Sequence, residues 1–283
     1  MDLSKAYIID LPNDFNLEHI FDSGQAFRWE KEIDGSYTGI AFSKVLNIKE
    51  VDNKLIFRNS SKEDFINIWK NYFDLNTNYG EIKNEISIDE TMKEAINFGY
   101  GIRILKQDIF ETIITFIISA NNRIPQIKKS VNLIAKTYGE EIDDGYYSFP
   151  DPETLAREDP INLKEICRVG FRNNRIIDTS RLIADGFLDN INNDMSTNQL
   201  ENKLQELPGV GAKVASCISL FAYGRGDSFP VDVWIKRVME KLYFNEGLKN
   251  KEIGEKARII FGDKCGYAQQ YLFYYGRENN IGK

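Results

Sequence analysis

The sequence predicts an α+β fold: a small N-terminal antiparallel β-sheet domain, residues 1–75, followed by a mostly α-helical domain, residues 76–283. Three observations carry that expectation. Apolar residues alternate from about Gly35 to Arg58, after Ser60 they recur at three- and four-residue steps, and far downstream Pro208-Gly209-Val210-Gly211 joins two amphipathic segments as a helix, a tight hairpin and a helix.

In chain order, GSYTGIAFSKVLNIKEVDNKLIFR alternates through positions such as Val45, and its Asp52-Asn53 pair marks a turn before Lys54 to Phe57. Phe65, Ile68, Trp69 and Tyr72, behind a Ser-rich start, then read as a helix. Asp108 to Ser119 is apolar on most sides, the mark of a buried central helix, and Pro125 lies shortly beyond it. Ser196 and Thr197 are placed to cap a helix carrying Leu200, Leu204 and Leu207. The second arm of the hairpin runs through Val214, Cys217, Ile218 and Phe221. Asp232 stands ahead of the stripe Ile235, Val238, Met239 and Leu242, the place of an N-cap. From Ser60 onward helices are expected almost exclusively, without internal repeats or low-complexity tracts.

Composition narrows the chemistry. The chain has 283 residues and 42% hydrophobic content, enough for a sizeable core. Its start, MDLSKAYIID, lacks the basic-then-apolar build of a signal peptide, and no apolar run approaches a membrane span, so the cytoplasm is the expected compartment. Cys167, Cys217 and Cys265 lie far apart and are expected as free thiols. His19 is the single histidine, and no acid or thiol stands at ligand spacing from it. Metal and Ser-His-Asp chemistry therefore have almost nothing to build on; no cofactor and no metal are expected, and reactivity falls to Lys, Asp, Glu, Tyr or Cys. A net charge of −7 argues against coating nucleic acid non-specifically. The acidity is regional, however: residues 139–165 hold nine acids and two bases, whereas residues 123–136 hold four bases and no acid.

At the hairpin, Gly209 and Gly211 allow a sharp turn and close approach to another surface. Free N–H groups opening the second helix make an anion site that suits a DNA phosphate. A ligand-free αα-hairpin is the alternative. Lys213, two residues past the hairpin, sits beside the positive end of that helix. Partial desolvation there favours a neutral, nucleophilic amine. Cys217, one turn later, shares its face and could line the same pocket or serve as a small buried residue. Asp232 can cap its helix and also stabilise positive charge developing at a sugar C1′.

These stretches resemble a known family. LPGVGAKVASC with FPVDVW resembles the helix-hairpin-helix plus Gly/Pro-Asp signature of base-excision DNA glycosylases, and Lys213 matches the lysine of members that also cleave the backbone. DSGQAFRW at 22–29, GIRILKQD and FIISANNRI within 101–124, and GYAQQYLF at 266–273 look like the 8-oxoguanine DNA glycosylase/AP lyase family, in that family's order. The endonuclease III branch usually carries a four-cysteine iron–sulfur loop, which this chain cannot build.

The resemblance implies a partner, double-stranded DNA containing 8-oxoguanine, and a set of roles. Lys213 becomes the Schiff-base amine and Asp232 its electrostatic partner. Phe273 and Cys217 sandwich the extruded base, Gln269 reads its Watson–Crick edge, and the Gly24 carbonyl accepts from the N7–H that guanine lacks. Gly209 and Gly211 present backbone to DNA phosphate, and Asn121 enters the gap beside the orphaned opposite base. Two positions that are usually arginines contacting the opposite cytosine are Gln126 and Arg172 here, and Trp234 replaces a common histidine. The first change implies weaker selectivity for cytosine. A monomer is expected. The competing readings are a glycosylase for another damaged purine and a non-enzymatic DNA-binding helix-hairpin-helix module.

Overall fold

The structure is a computed structural model that describes residues 5–244 and 247–282. Five strands form one antiparallel sheet: β1 (Ala6–Asp10), β2 (Trp29–Lys31), β3 (Tyr37–Ala41), β4 (Lys44–Val51) and β5 (Lys54–Arg58), in spatial order β1-β5-β4-β3-β2. The β4–β5 turn uses Asp52 and Asn53, both at positive φ (47° and 62°), and the β3–β4 turn uses Phe42 and Ser43 in the same way. Such two-residue turns match the right-handed twist of the strands they join. β1 and β2 were not expected from the sequence. β1 is an edge strand held by long-range pairing, Ala6 against Arg58 through Asp10 against Lys54.

The buried face of the sheet, including Leu46, Ile48, Leu55 and Phe57, packs on Phe65, Trp69, Tyr72 and Phe73. The helical segment bearing these residues contains one π-helical stretch, Phe65–Trp69. Trp29 anchors this core: its ring stacks on Phe21 at 4.4 Å and its Nε1–H donates to the Tyr72 hydroxyl at 2.7 Å.

Among the described residues, the remaining regular structure is helical except for a short hairpin, Glu141–Asp143 with Tyr146–Tyr147, inside the acidic segment. Two apolar cores form here. One surrounds the buried helix Ile109–Ser119, N-capped by Asp108, and includes the hairpin's second helix, Ala212–Phe221. The other joins Tyr79–Ile86 and Glu90–Phe98 to Val233–Leu242, Asn250–Phe261 and Cys265–Glu278. Ser196 caps Thr197–Leu204 as expected, whereas Leu207 lies beyond that helix, buried in the hairpin turn. All three cysteines are free and buried. No helix among the described residues is long and apolar enough to cross a membrane.

Candidate active site

The three cores meet at one cleft. It is lined by Ser23 and Gly24 from the sheet side, Phe116, Lys213, Cys217 and Phe221 from the central core, and Asp232, Gln269, Gln270 and Phe273 from the C-terminal helices. All six residues expected to bind or process the base therefore face one space, although they come from four separate segments.

Lys213 begins the Ala212–Phe221 helix, whose N-cap, Gly211, offers no side-chain acceptor. Its first N–H groups are left for an external anion. The Lys213 Nζ donates to Ser119 Oγ at 3.0 Å and lies 5.2 Å from the centre of the Phe116 ring. Ser119 Oγ in turn donates to Phe116 O at 2.7 Å, so it meets the amine with a lone pair. Cys217 lies on the same helix face. Burial pushes its thiol up to about 11, against the opposing pull of Lys213. The thiol therefore walls the cleft and is not a ready thiolate.

Asp232 caps Val233–Leu242, its Oδ1 accepting from Ile235 N at 2.8 Å. Burial raises its carboxyl above the usual carboxylate range, with the capping bond and Lys213 pulling the other way. The capping and charge-stabilising readings are thus compatible in one geometry.

Gln269 is 5% exposed, and its Oε1 has no hydrogen-bond partner among the described residues. A buried amide oxygen left unpaired is costly, and it waits on the wall of the cleft. Gly24 adopts φ +76°, and a Cβ built on it would come within 2.9 Å of the Phe273 ring. Any other residue would meet both backbone strain and a clash there. The cavity that Phe273 and Gly24 help to line is about 50 Å³.

The residues expected to face DNA lie along a neighbouring rim. Gly209 turns the hairpin at φ +87°, pressed against Arg175 and Ile117; Thr179 Oγ1 donates to Pro208 O at 2.7 Å and braces it. Asn121 is exposed at φ +52° just past the buried helix. Arg172, by contrast, is only 6% exposed. Its guanidinium donates to Ala120 O, to Asn121 O at 3.2 Å and to Val169 O at 3.0 Å. It braces the turn that presents Asn121 and is not extended toward solvent. Gln126 is half-buried in the first turn of Ile124–Tyr138. Phe171 carries no signal in the sequence. It is 57% exposed beside the same turn, with the Arg172 guanidinium 4.3 Å from its ring centre. Trp234 has the Arg237 guanidinium 5.7 Å from its ring.

Family models match both parts of the chain. A family model described as 8-oxoguanine DNA glycosylase, N-terminal domain, matches residues 8–113, and one described as HhH-GPD superfamily base excision DNA repair protein matches residues 114–260. The chain belongs to the 8-oxoguanine DNA glycosylase family. Among solved members, an 8-oxoguanine glycosylase/lyase from Clostridium acetobutylicum, bound to double-stranded DNA with cytosine opposite 8-oxoguanine, is 41% identical. The match covers 99% of this chain and 100% of the other, with a TM-score of 0.92. A structure of MBOgg1 with a low-affinity DNA ligand is 46% identical over 97% of this chain and 96% of that one, also at 0.92. A probable N-glycosylase/DNA lyase of Methanothermobacter thermautotrophicus is 27% identical, covering 95% of both chains. The expectation drawn from the motifs thus holds for the family as a whole.

Proposed function

We propose that this family member is a bifunctional DNA repair enzyme that excises 8-oxoguanine from duplex DNA and then cuts the strand 3′ to the resulting abasic site. The observation that carries this reading is the convergence of Lys213, Cys217, Asp232, Gln269, Phe273 and Gly24 on one cleft. A simple DNA-binding hairpin needs none of the last four.

The base must leave the duplex to reach the cleft, at a cost of a few kcal/mol. Phe273 must withdraw from Gly24 to admit it, after which the ring and Cys217 stack on its two faces. Gln269 then satisfies its orphaned oxygen on the Watson–Crick edge. The Gly24 carbonyl accepts from N7–H of 8-oxoguanine, whereas guanine would bring a lone pair to a lone pair. A dry site punishes such a mismatch strongly.

The chemistry follows from the pair Lys213 and Asp232. The unprotonated amine forms a bond to C1′ as the glycosidic bond breaks, and that bond's electron pair leaves with the base, which takes up a proton. The Asp232 carboxylate stabilises the positive charge on the sugar while it develops. Ring opening gives a Schiff base between Lys213 and the deoxyribose. Loss of a C2′ proton then expels the 3′ phosphate, and hydrolysis of the imine frees Lys213. Borohydride reduces the imine to a stable amine, so it should cross-link the protein to lesion DNA at Lys213. Lys213→Gln should show no cross-link; undiminished excision by that variant would overturn the mechanism.

A further inference from the structure

The loop that ends at Gly24 is held by side chains to which the family resemblance assigns no role. Arg277 lies in the last turn of Cys265–Glu278, and its guanidinium donates to Asp22 O. Gln270 is buried, and its Nε2 donates to Ser23 O at 2.7 Å. Two consecutive carbonyls, immediately ahead of Gly24, are thus each tied to the same helix. Arg277 also packs near Gly24 itself: its Nη1 lies 3.4 Å from where a Gly24 Cβ would be, and its guanidinium is 5.4 Å from the centre of the Phe273 ring.

Residues 270, 273 and 277 follow the i, i+3, i+7 spacing of a helix face. One face of this helix therefore carries Phe273, which stacks on the base, together with both ties to the loop that carries the Gly24 carbonyl. Within the loop, Ser23 Oγ donates to Ile20 O at 2.9 Å, and the buried Gln25 amide bonds Ile20 O, Ser23 Oγ and Arg103 O while accepting from Leu105 N. These bonds anchor the loop to its own side of the cleft. Among the described residues, Gln270 and Arg277 are the side chains of this helix that hydrogen-bond the loop, and so tie it to Gln269 and Phe273.

We infer that Gln270 and Arg277 are positioning residues for base selectivity, aiming the Gly24 carbonyl at the position of a purine N7 held against Phe273. The inference rests on the proposed role of Gly24. A hydrogen-bond acceptor discriminates only if its distance and direction to the partner are fixed, and misplacement by about 1 Å costs roughly a hundredfold in well-oriented sites. Lys213 and Asp232 belong to other segments, and their hydrogen bonds run to Ser119 Oγ and from Ile235 N.

The test compares single-turnover rates of the full-length protein on duplexes carrying 8-oxoguanine and on duplexes carrying a preformed abasic site. The variants are Gln270→Met, Arg277→Met and Arg277→Lys. Loosening the aim should lower 8-oxoguanine excision by about tenfold or more in the two Met variants, with the loss read in the chemical step at saturating DNA. Abasic-site cleavage should stay within about twofold, and Arg277→Lys, which keeps one charged donor, should recover part of the loss. Excision within twofold of the parent in both Met variants would overturn the inference. So would a parallel fall in abasic-site cleavage, which would mark a general structural role. If the parent itself ignores 8-oxoguanine while cutting abasic sites, the reading of Gly24 fails and the inference falls with it.

Discussion

Replacing Asp232 with Asn separates its two roles. Asn and Asp rank together as N-caps, so the bond from Ile235 N survives, and the cap itself changes by a few tenths of a kcal/mol at most. Losing the negative charge at the helix N-terminus costs about 0.3–1 kcal/mol. The opposing term comes from burial, which raises this carboxyl above its ordinary 3.8. A carboxyl that titrates higher in the folded chain holds its proton more tightly there. Ionising it therefore destabilises the fold as pH rises through the window above 3.8, and Asn carries no such penalty. The variant should thus unfold within about 1 kcal/mol of the parent near neutral pH, and gain on it as pH climbs out of the acid range. Excision should behave otherwise. Removing a group aimed at developing charge in an enclosed site lowers rates by about 10²–10³. Urea unfolding at several pH values and single-turnover excision measure the two effects independently. Excision within about threefold of the parent would reduce Asp232 to a cap.

Further outcomes follow from the rim. Gly209→Ala forces a Cβ to within 3.1 Å of Arg175 side-chain carbons at φ +87°. It should cost about 1–3 kcal/mol in unfolding measurements and weaken DNA binding in fluorescence anisotropy, because the hairpin must shift. With Gln126 proposed at the opposite base in place of a charged donor, the parent should excise at comparable rates opposite all four bases. Gln126→Arg should raise the preference for cytosine by about 10- to 150-fold, the worth of one charge-assisted hydrogen bond of about 1.5–3 kcal/mol. A steep cytosine preference in the parent would contradict this.

Much of this architecture was legible in local chemistry. The Asp52-Asn53 turn tolerates positive φ, Ser196 and Asp232 occupy capping positions, and Ile109–Ser119 is apolar nearly all round; each signal needs only its own neighbours. β1 escaped notice because its support is distant, a ladder to β5, and because it is an edge strand with Ile8 53% exposed. The small hairpin within 139–165 hid in an acidic run that read as a solvated face.

The site divides along the same line. Lys213 and Asp232 sit in recognisable motifs, and Cys217 and Phe273 lie one helical turn from Lys213 and Gln269. Ser119, Gln270, Arg277 and the bracing role of Arg172 were not legible. The hydrogen bonds of Gln270, Arg277 and Arg172 end on backbone carbonyls of remote segments, and a carbonyl has the same identity in every residue. Ser119 reaches Lys213 across a distance in sequence that no helical period spans.

The most direct test of the account is an incision assay on matched duplexes carrying 8-oxoguanine, guanine, alkylated adenine or an abasic site. The structure leads us to expect cleavage 3′ to 8-oxoguanine and to the abasic site, with guanine and alkylated adenine left intact. Binding without incision of any duplex, or excision of alkylated adenine in preference to 8-oxoguanine, would contradict it.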